Sequence, residues 1–207
     1  MRYFNIENNK ITYDKIAPMY AEQYSNDFSD SVYIDYFLKN VKGKEILDAG
    51  CGPGQFSAYM ASFDKHVLGV DNSEKMIEIA QNAFNNCEFL CKNVLELEFQ
   101  NKFDGILADN LFLHFSHPQC QEAIKIFHKA LKENGAMLVS FLEGNGEGFI
   151  REPVDENLRV YIKFYMYKEI EEMIENYFSI KKVWTVEKLG SFSMVEKRIL
   201  MLLIKKQ

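Results

Sequence analysis

From Glu45 onward, short apolar runs alternate with segments of helical periodicity, and this rhythm constrains the fold more than any other feature. Parallel strands cannot be joined by a tight turn and need a crossover, usually a helix, so the alternation predicts βαβ units and a mainly parallel sheet. "EILDAG" reads as the first strand and "QFSAYMAS" as the helix behind it; "HVLGVD" is the second strand. In "NSEKMIEIAQNAF", Met76, Ile77, Ala80 and Phe84 recur at helical spacing behind Ser73, a suitable N-cap. "CEFLCKNV" and "FDGILAD" supply strands three and four, the former placing Cys87 and Cys91 in the core. Pro118 suits the first position of the next helix, whose apolar face is Ile124, Phe127, Ala130 and Leu131. Gly135 is expected just past its end as a C-cap, and "AMLVSFLE" as strand five. Beyond a Gly-rich loop lie a less regular segment, a helix at "YKEIEEMIENY", and two β-rich runs, "FSIKKVWTVEKL" and "VEKRILMLLIKK". Ahead of the sheet, "YDKIAPMYAEQYSNDF" and "SVYIDYFLKNV" read as two helices packed on or over it.

A chain of 207 residues with 47% hydrophobic and 26% charged residues suits one globular α/β domain. It has no apolar run of about 18 residues, so no membrane span is expected. The opening "MRYFNIENNKITYDK" is polar and lacks the apolar core of a signal peptide, which makes a cytoplasmic location the expectation. Cys51, Cys87, Cys91 and Cys120 form no CxxC pair and no zinc-type spacing, so neither a disulfide nor a metal is expected. The net charge is −6, with Lys and Arg scattered singly or in pairs. A nucleic-acid binder usually carries a basic stripe, so this balance disfavours nucleic acid as a partner.

Three of the eleven glycines fall within five positions, in "ILDAGCGPG". A glycine-rich turn between a first strand and first helix presents free N–H groups to an anionic or adenosyl ligand. The dinucleotide fingerprint G-x-G-x-x-G would need its third glycine at position 55, where the chain has Gln55. A carboxylate at the loop entrance, Asp48, suits a ligand bearing an amino group better than a pyrophosphate. "ILDAGCGPG" resembles the first motif of the class I S-adenosylmethionine-dependent methyltransferases, and "LGVDNSEKMIEIA" is similar to their second. "FDGILADNLFLHF" followed by "ALKENGAMLV" resembles the fourth and fifth elements. The looser matches at "YDKIAPMY" and "YKEIEEMIENYFSI" resemble the small-molecule branch that includes the quinone-biosynthesis methyltransferases.

The resemblance implies a Rossmann-like, doubly wound, seven-stranded sheet with helices on both faces and an N-terminal helical lid. It divides the chain into a lid (1–42), a cofactor-binding core (43–142) and a substrate-side segment (143–207). S-adenosyl-L-methionine is the implied cofactor. Gly50 and Gly52 would pass close to its methionine moiety, and Asp48 would act on the amino group. Asp71, 21 residues after Gly50, would accept from both ribose hydroxyls, with Asn72 beside it. Met76 would lie near the adenine, although its helical spacing suits a core residue equally well. Asn93 stands where the family usually has an acid for the adenine amine; an Asn carbonyl can also accept that bond, and the Val94 backbone could touch the ring.

The tip of strand four, which faces the methyl group in the resembled fold, offers Asp109, Asn110 and His114. His114 is the candidate base, with Tyr20 from the lid as its hydrogen-bonding partner; a structural histidine bonded to backbone is the competing reading. No Pro-Pro-aromatic signature of amino-group DNA methyltransferases is present. Aromatics load the N-terminal helices (Tyr13, Tyr20, Tyr24, Tyr33, Tyr36) and the segment after strand five (Tyr161, Phe164, Tyr165, Tyr167). The acceptor pocket is therefore expected between those two regions, suited to an apolar or cationic small molecule. Two rival functions are an NAD-dependent oxidoreductase and a catalytically silent S-adenosylmethionine-binding protein.

Overall fold

Seven strands form one sheet in the order β3-β2-β1-β4-β5-β9-β8 in the computed structural model, which describes residues 4–189 and 195–206. Its parallel part is β1 (Glu45–Ala49), β2 (His66–Asp71), β3 (Glu88–Cys91), β4 (Phe103–Ala108) and β5 (Leu131–Leu142). β8 (Phe178–Leu189) and β9 (Val195–Lys205) pair antiparallel, and β9 joins the sheet antiparallel to β5. The crossovers carry α3 (Gln55–Ala61), α4 (Glu74–Ala83) and α5 (His117–Ala130); α6 (Tyr167–Ile174) precedes β8. Because β1 pairs with both β2 and β4, the winding reverses between β1 and β4. Such a switch point opens a crevice beyond the carboxyl ends of the strands, where open α/β sheets bind ligands.

Alternation along each strand divides the core into two layers. Leu47 and Ile106 face Phe112, Phe127 and Ile174 in one cluster, while Ile46 and Leu107 face Phe37 and Met60 in the other. α1 (Phe4–Tyr24) and α2 (Ser31–Leu38) precede the sheet. α1 is fastened on two sides. The Asp14 carboxylate accepts bonds from the Ser73 hydroxyl at 2.7 Å and the Lys75 N–H at 3.2 Å, at the start of α4. On the other side, the Asn9 amide pairs with the Tyr161 backbone through bonds of 3.0 and 2.8 Å.

Three local expectations are corrected. α5 stops at Ala130, and Leu131 already pairs with Phe103 as strand; the left-handed residue before the straight part of β5 is Asn134, with φ 59°, and not Gly135. Cys87 and Cys91 are not core: β3 is the sheet's edge, leaving Cys91 exposed and Cys87 half-buried. The less regular segment holds a hairpin of β6 (Glu147–Arg151) and β7 (Arg159–Lys163), entered through Gly144 and Gly146 at φ 150° and 101°. No helix among the described residues is long and apolar enough to cross a membrane.

Candidate active site

The β1 end and the turn behind it build one wall of a cavity at the switch point. Gly50, Gly52 and Gly54 all take positive φ, of 78°, 52° and 87°, a region that side chains with a Cβ enter at a cost. The Gly50 and Cys51 N–H groups donate to the Val70 carbonyl at 2.7 and 3.1 Å, and Gly52 N–H donates to Asp71 Oδ2 at 3.0 Å. Asp71 Oδ1 accepts from Ser73 N–H at 2.9 Å. Asp71 thus ties the glycine turn to the start of α4, where Ser73 caps the helix by accepting from Met76 N–H. Burial raises the Asp71 carboxyl from its ordinary value, and the backbone N–H bonds partly oppose that shift.

Asp48 is 4% exposed and accepts from the Ser57 hydroxyl at 2.6 Å. Burial is the main cause that pushes its carboxyl up to about 7. Opposite the turn, the Asn93 Oδ1 accepts from Leu95 N–H at 3.0 Å, capping a short 3-10 turn at Val94–Glu96. Met76 and Val94, 2% and 4% exposed, supply apolar surface there. All eight sequence-assigned cofactor positions (Asp48, Gly50, Gly52, Asp71, Asn72, Met76, Asn93 and Val94) line the same cavity, as do His114 and Tyr20. Its open space, mouth included, is about 990 Å³.

The far wall differs from the expectation. Its aromatic lining comes from α1 and from the α3 and β4 ends; the segment 143–167 contributes no lining residue and packs behind α1. The acceptor pocket expected between the N-terminal helices and that segment does not coincide with this cavity. His114 sits in the 3-10 turn Phe112–His114 beyond β4, and the hydroxyl that reaches it is not that of Tyr20. Tyr13 Oη lies 3.1 Å from His114 Nε2, and Tyr20 packs edge-on against the Tyr13 ring.

The imidazole is fully engaged. Its Nδ1 lies 3.1 Å from the Tyr161 carbonyl, which can only accept, so Nδ1 carries the hydrogen. Asn9 Nδ2 also comes within 3.1 Å of Nδ1, but Tyr161 N–H donates to Asn9 Oδ1, which fixes the amide so that Nδ2 donates to the same carbonyl. Nε2 is left as acceptor for the Tyr13 hydroxyl. Burial lowers His114 to about 4, so the ring is neutral at pH 7. In this arrangement the accepting lone pair of His114 is engaged by the Tyr13 hydroxyl.

Asp109, beside His114 in the cavity wall, is held from behind. Arg198 of β9, 2% exposed, donates to Asp109 Oδ1 and Asp30 Oδ2, each at 2.6 Å. Asn110, at φ 51°, donates its N–H to the Ser140 hydroxyl at 2.8 Å. Asn9, Asp14 and Arg198 were not singled out by the sequence, and Tyr13 was named only among the aromatics of the N-terminal helices. The single arginine within "RILMLLI" was the available signal for a buried ion pair, since an apolar strand carries such a charge only when it is paired.

Residues 46–135 match the family model for a methyltransferase domain. Over that segment the chain is similar to methyltransferases. A Geobacillus sp. relative named as a methyltransferase is 30% identical over 140 residues, covering 62% of this chain and 56% of its own. The ubiquinone biosynthesis O-methyltransferase of Coxiella burnetii is 31% identical over 115 residues, 53% of this chain and 48% of that protein. The chain thus spans about half the length of these curated relatives. Among solved structures, the Burkholderia thailandensis 1,6-didemethyltoxoflavin-N1-methyltransferase superposes with a TM-score of 0.77 at 19% identity, covering 100% of this chain and 91% of that one. That likeness extends the methyltransferase fold to the N-terminal helices and the closing strands.

Proposed function

We propose that this chain is a methyltransferase that moves a methyl group from S-adenosyl-L-methionine to a small-molecule acceptor by in-line displacement. The observation that carries the reading is the glycine turn held between the Asp48 and Asp71 carboxylates, with open space in front of it. A Cβ built on Gly52 would meet nothing within 4 Å, and Gln55 Oε1 is buried at the cavity without a protein partner. Both features fit a ligand that passes close to the backbone and brings a hydrogen-bond donor.

In this reading Asp71, aided by Asn72, accepts from the ribose hydroxyls, its oxygens keeping capacity beyond their backbone bonds. Asp48 and Gln55 receive the ammonium group, and Gly50 and Gly52 let the methionine portion approach the chain. Met76 and Val94 sandwich the adenine, whose amine donates to Asn93 Oδ1. When bound, the cofactor would supply an electrophilic methyl on a sulfonium; the methyl passes to the acceptor's nucleophilic atom, the S–C electron pair returns to sulfur, and the acceptor's O–H or N–H proton is released to solvent. The Tyr13 hydroxyl donates a hydrogen bond to His114 Nε2 and so turns an oxygen lone pair towards the cavity, where it accepts from the acceptor's O–H or N–H. His114 is then a positioning residue, and Tyr20 packs the Tyr13 ring in place. Positioning is worth about 7–11 kcal/mol in a well-oriented displacement, more than the 10²–10⁴-fold of a general base. A neutral imidazole is therefore compatible with turnover.

The Asp48 reading predicts a pH dependence. Pairing with an ammonium requires the ionised carboxylate, and this group holds its proton up to about pH 7. Affinity for S-adenosylhomocysteine is expected to rise about tenfold between pH 5.5 and 7 and to level off above, because proton release then no longer accompanies binding. Asp48→Asn should flatten the curve; calorimetry across that range checks both. For Asn93, Asn93→Asp should hold affinity, since either side chain presents an oxygen to the amine and to Leu95 N–H. Asn93→Leu should weaken it by about tenfold, the value of one hydrogen bond to a desolvated partner. Equal affinities for all three proteins would take the residue off the ring.

Release of S-adenosylhomocysteine with a panel of phenols, catechols and amines tests the whole reading. Product formation with any of them supports methyl transfer, while tight cofactor binding with no turnover would favour the catalytically silent alternative.

A further inference from the structure

Around Tyr13 and Tyr20 the cavity lining carries carboxylates and, among the described residues, no Lys or Arg. Asp109 stands in the cavity wall, and the Arg198 guanidinium that donates to it also donates to Asp30. Glu152, in the β6–β7 connection, is 3% exposed and acts electrostatically on both tyrosines. Its Oε2 accepts the Val154 and Asp155 N–H groups at 2.6 and 3.1 Å, and no Lys or Arg pairs with it among the described residues. The one histidine of that lining among the described residues, His114, is neutral at pH 7.

Such a pocket discriminates by charge. A carboxylate-bearing acceptor would give up its hydration to face like charge without a cationic partner, a costly arrangement in a desolvated site. A cation gains from the π-faces and from the carboxylate field behind them. We propose that the acceptor carries a protonated amine or another cationic group lying against Tyr13 and Tyr20, in the field of Glu152 and Asp109, and that carboxylate-bearing acceptors are excluded. This rests on the methyl-transfer reading above, whose cofactor occupies the opposite end of the same cavity. The hairpin that does not line the cavity contributes to it through charge.

The test uses the full chain saturated with S-adenosylhomocysteine and three probes that share a phenol ring. Tyramine is cationic, 4-(2-hydroxyethyl)phenol is neutral and 4-hydroxyphenylacetate is anionic. Calorimetry should give tyramine at least a tenfold advantage over the neutral probe, with the anion weakest. Glu152→Gln keeps an oxygen for the two backbone N–H groups and removes only the charge; it should cut the tyramine advantage several-fold while product loading stays unchanged. Equal affinities, a preference for the anion, or no binding of any of the three would overturn the proposal. Failure of the product-loading step would instead strike the underlying reading, so the two failures are distinguishable. The order of the three probes on the unsubstituted protein stands even where the variant does not fold.

Discussion

Asp71→Ala is expected to weaken S-adenosylhomocysteine binding by about 10- to 100-fold. Two effects add. The carboxylate is the proposed acceptor for both ribose hydroxyls, and hydrogen bonds to a charged group contribute roughly 1.5–3 kcal/mol, about a factor of ten for each 1.4 kcal/mol. The same carboxylate accepts Gly52 N–H at 3.0 Å and Ser73 N–H at 2.9 Å, so its loss also frees the turn that shapes the methionine end. Asp71→Asn retains one acceptor oxygen and should fall between the two proteins. Calorimetric titration measures all three, and an alanine variant binding within twofold of the unsubstituted protein would contradict the assignment.

His114→Ala is expected to act first on stability. The substitution leaves the Tyr13 hydroxyl without its acceptor and opens a cavity between α1 and the β4 end. An unsatisfied buried group costs about 1–3 kcal/mol and a large-to-small core change about 2–5, so a loss of about 2–4 kcal/mol in urea unfolding is expected. The pH dependence follows with a definite sign. The folded-state value, about 4, lies below the ordinary 6.5, so this stabilising contribution is complete above about pH 6.5 and lost as pH falls towards 4. In His114→Ala that part of the acid sensitivity should vanish. Tyr13→Phe keeps the ring packing and removes only the oriented hydroxyl. Turnover should fall about 10- to 100-fold with cofactor affinity unchanged, the pattern of lost positioning. A 10²–10⁴-fold loss of turnover in His114→Ala, at unchanged stability, would restore the histidine to the role of base.

The parts of the fold and site that were readable in the sequence are those fixed by local chemistry. Asp48, the three glycines and Asp71 lie within one βαβ unit, where a strand end, a turn and a helix start allow little choice of residue. Ser73 announces α4 for the same reason. What escaped was set by neighbours distant in sequence. Tyr13 and Tyr20 are seven residues apart, two turns along one face of α1, so periodicity cannot decide which of them meets His114. The choice comes from the height at which Asn9 and Asp14 fasten the helix, to Tyr161 and Ser73. Leu131 satisfies the apolar spacing of α5, yet its pairing with Phe103 claims it for β5. Cys87 and Cys91 lie in an apolar run that reads like any buried strand, and only the strand order makes it an edge. Arg198 meets Asp109 across 89 positions of chain, a pairing that no local pattern encodes.

The measurement that bears most directly on the central claim is a calorimetric comparison of S-adenosylhomocysteine with NAD on the full chain. A G-x-G-x-G turn between Asp48 and Asp71, with Gln55 where a dinucleotide site needs glycine, predicts a single saturable site for S-adenosylhomocysteine, weakened by Asp71→Ala, and no comparable NAD binding. Tight NAD binding with no response to S-adenosylhomocysteine would contradict it.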